Sequence, residues 1–514
     1  MKIKKIFVLL SVLLLVASVT VSSCSTNSKN EQQSATTADS TDLNDGNGTE
    51  DIQSTKNTEE ADAGYDFPEL DFGGEDFNFL NVTTEWDFYT DIVKEEPEGE
   101  VLSDAIYDRN RLIEEKFNLN LTETGILITQ FTSQLKKVIL SGEDLYDAVY
   151  CPGWDTSGAT NTIGSLVTSN MFHNLKDIPE MQLDQYWWNQ NITRDSLIGD
   201  FDALYFAGCD INIMNLQGAW CVYFNEDMFK NLGMELPYEK VKEGKWTLDE
   251  FYSCIKAGTQ LNGDDDFATA IAKWNTGGAS VFGVTSYEYG IGALVSASGE
   301  KYIVKNEDKM PQLAIENERF LNVCEKVASI AGTKGEYQNA NDYASGFHFE
   351  MIFRDNRAAL MIGELKAADV FRNMESVYGI VPLPKYDETQ QDYHTIVHPS
   401  SPLLVIPVTN DDLSRTGAVL DALAYVSHKD VTPVFYDITL SLKRLNNEDS
   451  IEMLKIIRDS VSVELGITFG WTIDFVNKVN TDLDKGKNTL VSLIEKNKAK
   501  IESNIAKTME YFEN

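Results

Sequence analysis

Basic residues are scarce in this sequence of 514 residues. Lysine and arginine together number 43 against 81 aspartates and glutamates, which gives a formal net charge of −38 at pH 7. A nucleic-acid-binding surface needs clustered lysine and arginine to neutralise phosphates, and anionic lipids repel a chain of this charge. The composition therefore argues against nucleic-acid binding and against electrostatic adsorption to anionic membranes.

Cysteine and histidine are also rare, with six and five residues. No CxxC pair occurs, and the histidines do not have the spacing of metal ligands. Apart from Cys24, which is discussed below, the cysteines are predicted to be small buried side chains. The GxSxG, HExxH, P-loop and GxGxxG motifs are all missing. The sequence therefore predicts no metal site, no cofactor and no catalytic residues.

Long apolar runs are missing except at residues 6–21, which follow Lys2, Lys4 and Lys5. Such a run is shorter than the roughly 20 residues of a membrane-spanning helix and is typical of a signal-peptide core. It ends in Val-Ser-Ser-Cys24, which resembles a bacterial lipobox. We therefore predict a lipoprotein signal peptide at 1–23 and a lipid anchor on Cys24, facing the extracellular or periplasmic side of the cell membrane. An ordinary secretory signal with a chance cysteine is the alternative.

Residues 25–64 contain no aromatic side chain and are dense in Ser, Thr, Asn, Gln, Asp and Glu. Such a segment cannot bury enough apolar surface to offset the entropy lost on ordering. We predict that residues 24–64 form a lipidated, disordered tether and that the folded body begins at residue 65.

The folded body begins with strands that alternate with amphipathic helices. Apolar patterning predicts strands at 77–82, 118–122 and 146–150, with helices at 102–117 and 131–140. This alternation predicts an α/β fold with a mostly parallel sheet, in which ligands bind at the carboxyl ends of the strands.

Two loops after predicted strands carry a tryptophan beside a carboxylate. Glu85 and Trp86 follow the first strand, and Trp154 and Asp155 follow the third. A sugar has an apolar face and a rim of hydroxyls, so an aromatic plate next to hydrogen-bond acceptors suits it. Tryptophans that cap the core from a loop are an equal alternative. For 186–188 (YWW) we predict packing rather than binding.

Six motifs resemble, in their order and spacing, the extracellular solute-binding proteins (family 1, carbohydrate type) of ABC importers. They are 146–149 (YDAV), 222–229 (VYFNEDMF), 244–251 (GKWTLDEF), 353–361 (FRDNRAALM), 378–385 (YGIVPLPK) and 403–407 (LLVIP). The resemblance extends from about residue 75 to about residue 475.

The resemblance implies a two-lobed, periplasmic-binding-protein-like α/β fold with hinge segments between the lobes. By analogy, residues 65–216 and 382–436 form the first lobe, and residues 217–381 and 437–514 form the second. A ligand would occupy the cleft between them, and the lobes would close around it by a hinge motion.

The same resemblance implies ten candidate ligand contacts. In the first lobe they are Glu85, Trp86, Trp154 and Asp155, which lie in loops. The first crossing segment supplies Asn215 and Gln217. In the second lobe they are Trp274 and Tyr289 in loops, Glu364 at the end of a strand, and Trp471, a late aromatic residue. Relatives commonly have an aromatic residue where this chain has Glu364.

The predicted function is capture of a mono- or oligosaccharide by a monomeric lipoprotein, which delivers it without chemistry to the transmembrane subunits of an ABC permease. One alternative is a secreted glycoside hydrolase, with a carboxylate pair drawn from Glu85, Asp155 and Glu364. Another is a binding protein for a non-sugar solute such as a peptide. A ligand carboxylate would need an arginine or a helix N-terminus, and arginine is scarce in the candidate loops.

Overall fold

The computed structural model describes residues 64–84, 89–158, 160–199, 203–267, 278–339, 349–441 and 448–513. The predicted signal peptide, Cys24, the tether up to residue 63, and Glu85, Trp86 and Trp274 lie outside the described residues. Within the described ranges, no helix has both the length and the apolar composition needed to cross a bilayer.

The strands are short and spread over the whole described chain. They are β1 (Glu75–Thr83), β2 (Leu119–Leu127), β3 (Ala148–Pro152), β4 (Trp220–Asn225), β5 (Phe282–Ser286), β6 (Ile303–Lys305), β7 (Pro311–Leu313), β8 (Tyr337–Asn339), β9 (Ala358–Glu364), β10 (Tyr378–Pro382), β11 (Thr395–Ile396), β12 (Pro402–Val405) and β13 (Val461–Ser462).

Helices connect these strands and form most of the C-terminal part of the chain. The α-helices are Val101–Phe117, Ile128–Ser141, Ile163–Val167, Gln190–Ser196, Met214–Gln217, Glu226–Asn231, Tyr238–Lys242, Leu248–Gly258, Glu288–Ala297, Glu318–Ala331, Phe349–Arg354, Leu413–Val426, Thr432–Ser441, Glu448–Asp459, Leu465–Thr468, Ile473–Asp484 and Leu490–Glu513. Leu175–Asp177 and Leu365–Phe371 are 3-10 helices, and Ser427–Val431 is a π-helical turn.

A four-stranded sheet in the order β12-β3-β1-β2 forms the first lobe. β1 is parallel to both β2 and β3, whereas β12 is antiparallel to β3. Phe77 and Phe79 pack into one core with the helix Val101–Phe117, and Leu80 and Val82 pack into another. Both faces of the sheet are therefore buried, as expected for a largely parallel sheet covered by helices.

A five-stranded mixed sheet in the order β10-β4-β9-β5-β8 forms the second lobe. β5 is parallel to β8 and β9, while β4 is antiparallel to β9 and β10. All residues of β4, β5 and β10 are buried. This sheet is the core of the second α/β lobe and is separate from the four-stranded sheet.

Two crossing segments connect the sheets. The first, residues 214–219, leads into β4, and the second, residues 395–401, leads from β10 back to β12. Ala219 forms a bridge with Val397, and β11 pairs in parallel with β13. The crossing segments therefore lie side by side between the lobes.

The architecture confirms the predicted two-lobed α/β fold with segments that join the lobes. The strand predicted at 77–82 and the helix predicted at 102–117 lie within one to two residues of β1 and Val101–Phe117. How the residues outside the sheets divide between the lobes stays a prediction.

Two smaller predictions about packing are confirmed. The five cysteines of the described chain are free and buried. Trp187 and Trp188 are buried, and both indole N–H groups donate to the Asp421 carboxylate, at 3.0 and 2.8 Å. The tryptophan pair therefore packs within the first lobe, as predicted, whereas Tyr186 of the same motif is 51% exposed.

Candidate functional site

The loop after β3 packs against the second crossing segment. The backbone N–H of Gly153 donates to the carbonyl of Ser401 at 3.2 Å. A Cβ atom on Gly153 would lie 2.7 Å from the carbonyl oxygen of Pro399, which is closer than real Cβ contacts. Glycine is therefore required here, and the close approach fixes the loop beside the crossing segment.

The loop after β1 reaches the first crossing segment. The Thr90 hydroxyl donates to Oε1 of Gln217 at 2.6 Å, and the Asn81 amide holds the carbonyl of Thr90 at 3.1 Å. The Asn215 amide donates to the carbonyl of Cys209 at 3.3 Å. Both predicted polar residues of this segment, Asn215 and Gln217, are thus buried beside the carboxyl end of the first sheet.

Tyr89 connects the first lobe to the second crossing segment and lies near the second lobe. Its hydroxyl donates to the carbonyl of Ser400 at 2.9 Å. Burial and the neighbouring charge of Glu364 raise the pKa of Tyr89. Glu364 is the last residue of β9, so side chains of both lobes meet at this point.

Two glutamates of the second lobe lie close enough to repel each other. Burial, and then the charge of Glu350, raise the pKa of Glu364 to about 8. Burial likewise raises the pKa of Glu350 to about 8. The Tyr287 hydroxyl donates to Oε1 of Glu364 at 3.4 Å. Both carboxyl groups therefore carry a proton for most of the time at neutral pH.

Three aromatic rings pack against Tyr287, the hydrogen-bond partner of Glu364. The ring centroid of Tyr287 lies 5.5 Å from that of Trp220, 5.1 Å from that of Phe349 and 5.8 Å from that of Tyr289. Tyr289 in turn donates to Oδ1 of Asn477 at 3.2 Å. We call Trp220, Tyr287, Tyr289, Glu350 and Glu364 the acid–aromatic cluster.

Several buried polar atoms at this place have no hydrogen-bond partner among the described residues. They are Asn215 Oδ1, Trp220 Nε1, Glu350 Oε2, Ser400 Oγ and Ser401 Oγ. Buried polar atoms are hydrogen-bonded in the great majority of cases, and leaving one unpaired costs roughly 1–3 kcal/mol. Twenty such atoms occur in the described part of the chain, and these five lie on the crossing segments and in the cluster.

Four predicted contacts are brought together around the crossing segments: Asn215, Gln217, Tyr289 and Glu364. Trp154 and Asp155 follow Gly153, but their polar atoms stabilise their own loop. The Trp154 indole donates to the carbonyl of Gly158 at 3.0 Å, and Asp155 accepts from the N–H and hydroxyl of Ser157.

Trp471 is buried at the C-terminal end of the chain, where packing accounts for its side chain. Its ring is stacked on Phe469 with centroids 4.9 Å apart, and its N–H donates to the Thr508 hydroxyl at 2.9 Å. Both partners lie in the C-terminal part of the chain, and its role as a stacking residue for a ligand stays a prediction.

Sequence reasoning missed Tyr89, Trp220, Tyr287 and Glu350. Tyr89 lies four residues beyond Glu85 in the loop after β1, so the rule that selected Glu85 could also have selected it. Trp220 begins an apolar strand and has the pattern of a core residue. Nothing in the sequence distinguishes Glu350 from the many other acidic residues.

A groove with a volume of about 1260 Å³ lies elsewhere on the second lobe. Several of its carboxylates form ion pairs, since Glu250 contacts Lys240 at 2.6 Å and Glu243 contacts Lys245 at 2.8 Å. In the described part of the chain, no group of three or more His, Cys, Asp or Glu side chains is placed to hold a metal ion.

No protein-family model matches the sequence, and no curated sequence matches it significantly. Solved structures do match the fold. The sugar-binding protein MalE from Xanthomonas citri superposes with a TM-score of 0.57 at 12% identity, over 85% of this chain and 99% of that one. An ABC substrate-binding protein from Listeria monocytogenes in complex with cycloalternan gives 0.54 at 14% identity, over 85% and 99%. A cyclo/maltodextrin-binding protein with maltotetraose gives 0.51 at 13%, over 84% and 97%. At these identities the likeness shows the two-lobed fold alone.

Proposed function

We propose that this protein is the substrate-capturing component of an ABC importer and that it binds a mono- or oligosaccharide between its lobes without catalysis. The acid–aromatic cluster, beside buried unpartnered polar atoms on the crossing segments, is the observation that carries the proposal. The structural neighbours support it, because they are sugar-binding proteins with the same two-lobed architecture.

Recognition would combine stacking with hydrogen bonds to hydroxyls. The ring of Tyr287 and the partly exposed ring of Tyr289 offer apolar faces, and the partly exposed carboxyl group of Glu364 and Asn215 Oδ1, which has no partner among the described residues, offer hydrogen-bonding atoms. A sugar that lacks the matching hydroxyl would leave these groups unpaired, which lowers its affinity.

We further propose that the protein is a lipoprotein on the outward face of the cell membrane. The lipobox-like end of the apolar segment at Cys24 and the polar composition of residues 25–64 support this. The lipid would hold the protein near the transmembrane subunits, to which it delivers the sugar. The variant Cys24→Ala should leave the membrane fraction and lose a metabolic lipid label, whereas Cys254→Ala should keep both.

Thermal unfolding with a panel of mono- and oligosaccharides tests the binding function. A ligand at 100 times its Kd stabilises the fold by about 2.7 kcal/mol, so intrinsic-fluorescence melting of the full chain should show a clear shift. Chromatography should recover the ligand intact. Absence of any shift across the sugars would contradict the proposal and direct the search to peptides.

A glycoside hydrolase is the second candidate, because Glu350 and Glu364 form a carboxyl pair beside aromatic rings. Hydrolases of that kind need one protonated and one ionised carboxyl group, so their two pKa values lie far apart. Here burial raises both pKa values to about 8. The pair therefore lacks an ionised partner at neutral pH. Recovery of cleaved sugar in the same experiment would nevertheless establish the hydrolase.

A further inference from the structure

Asn81 is a buried asparagine near the carboxyl end of β1, where it lies between Leu80 and Val82. Asparagine is depleted in strands, because its short polar side chain packs poorly and must find hydrogen-bond partners when it is buried. Departures from the local preference of an element are expected where the fold serves a functional site. The partners of Asn81 therefore indicate what this residue does.

The hydrogen-bonding capacity of the Asn81 side chain is fully used. Its amide nitrogen donates to the carbonyl of Thr90 at 3.1 Å and to Oε1 of Glu123 at 2.7 Å. Its amide oxygen accepts the backbone N–H of Val82 at 2.9 Å and the side-chain amide of Asn212 at 3.2 Å. An asparagine side chain has two N–H donors and two acceptor lone pairs, so no other residue type can make these four bonds in the same geometry.

Two of these bonds lead to the first crossing segment. Oδ1 of Asn212 accepts the backbone N–H of Met214 at 3.0 Å, where the segment begins. The Thr90 hydroxyl donates to Oε1 of Gln217 at 2.6 Å, further along the same segment. Asn81 therefore connects the first sheet to the crossing segment at two points.

The loop that carries Thr90 is held on its other side by Glu123. Oε2 of this carboxylate accepts the backbone N–H groups of Ile92 and Val93 at 2.7 and 2.8 Å. Because Oε1 of the same carboxylate accepts from Asn81, the strands β1 and β2 and the loop after β1 are fixed to one another. Thr90 thus has a defined place beside Gln217.

We propose that Asn81 is a positioning residue for ligand binding, which acts through Thr90 to hold the candidate contact Gln217 in place. The inference rests on the proposed sugar-binding function. Binding to groups that are already held in place costs less entropy than binding to groups that the ligand must first order. Asn81 is buried, so it raises the affinity through its partners and not by direct contact.

Calorimetric titration of the full chain with glucose, galactose, maltose, maltotetraose and raffinose tests the inference, and each variant is compared with the wild type for the probes that bind. Asn81→Ala should weaken binding about tenfold and Thr90→Val about fivefold, because the second variant removes only one hydrogen bond. Thr90→Ser keeps the hydroxyl and should bind within about twofold of the wild type. The double variant of Asn81→Ala with Thr90→Val should bind no more weakly than Asn81→Ala, since both residues act through one network.

Asn410 and Thr416 supply matched controls at the opposite end of the same sheet. Asn410 is also buried, and its amide donates to the carbonyl of Asp147, just before β3, at 2.9 Å and to the Thr416 hydroxyl at 2.7 Å. Asn410→Ala should lose stability in urea denaturation as Asn81→Ala does, because both leave buried partners unpaired. Asn410→Ala and Thr416→Val should nevertheless bind the probes within about twofold of the wild type.

The outcomes separate this inference from the proposed function. If Asn81→Ala binds as tightly as the wild type, or if Asn410→Ala weakens binding equally, the inference is wrong while sugar binding stands. Multiplied effects in the double variant would also contradict it. Where Asn81→Ala does not fold, Thr90→Val and Thr90→Ser decide, because equal affinities of these two would overturn the inference. If none of the probes binds the wild type, the proposed function fails and the inference fails with it.

Discussion

Trp220 lies directly opposite Glu364 in the antiparallel pairing of β4 with β9. Directly opposed residues project from the same face of a sheet, so the indole and the carboxyl group are neighbours. Tyr287 follows β5, which is the next strand beyond β9, and contacts both side chains. Trp220, Glu364 and Tyr287 therefore lie together at the ends of three adjacent strands of the sheet.

The unpaired indole of Trp220 leads to the first prediction, which compares Trp220→Phe with Trp246→Phe. Both tryptophans are fully buried, but only the Trp246 N–H has a described partner, the carbonyl of Pro382 at 2.9 Å. Trp246→Phe should therefore cost about 1 kcal/mol more stability in urea denaturation, because it also removes a hydrogen bond.

The second prediction concerns the pH dependence of stability. Burial raises the pKa of Glu364 from 4.5 to about 8, so between these values the folded protein holds a proton that the unfolded chain has lost. Stability contributed by this proton is present below pH 4.5 and is lost as the pH rises towards 8. Glu364→Gln should therefore be more stable than the wild type by about 1–3 kcal/mol at pH 8 and similar to it at pH 4.5.

Urea titrations of both proteins at pH 4.5, 6 and 8 check this. Glu350→Gln should behave in the same way, because burial raises the pKa of Glu350 to about 8 as well. A stability difference that stays constant across these pH values would show that folding does not raise the pKa values of these carboxyl groups.

The third prediction concerns His398 in the second crossing segment. Its Nδ1 accepts the backbone N–H of Ser400 at 3.2 Å, and burial lowers its pKa from 6.5 to about 4. The unfolded chain binds a proton in this window and the folded protein does not, so stability is lost as the pH falls from 6.5 to 4. His398→Asn keeps an acceptor and should remove this acid-labile contribution of about 1–3 kcal/mol.

The difference between wild type and His398→Asn should be measured by urea denaturation at pH 4, 5, 6.5 and 8. At pH 8 the histidine is neutral in the folded and the unfolded states, so the difference measured there is the reference, and it should change progressively from pH 6.5 down to pH 4. If the free energy of unfolding falls with pH as steeply in His398→Asn as in the wild type, the acid sensitivity belongs to other groups.

The fold could be predicted from the sequence much better than the candidate site could. β1 and the helix Val101–Phe117 could be located because alternating and helical apolar patterns are local properties. Asn215 and Gln217 could be chosen because the resemblance identified a crossing segment. Glu350 could not be chosen from the sequence, since Glu364 comes near it only when β9 packs beside the helix Phe349–Arg354. Trp471 shows the converse, because a loop tryptophan has the same local pattern whether it meets a ligand or Phe469.

The fourth prediction concerns the contact between the short helix Ile163–Val167 and the C-terminal part of the chain. A Cβ atom on Gly164 would lie 2.5 Å from Cα and 2.6 Å from Cδ1 of Phe469, whose ring supports Trp471. The backbone atom cannot move aside by a rotamer change, so Gly164→Ala should cost about 1–3 kcal/mol of stability in urea denaturation. Gly158→Ala is the matched control, because its Cβ would meet only Nδ2 of Asn161 at 3.8 Å. That control should change stability by no more than about 0.5 kcal/mol, and equal effects of the two variants would show that the chain relaxes around residue 164.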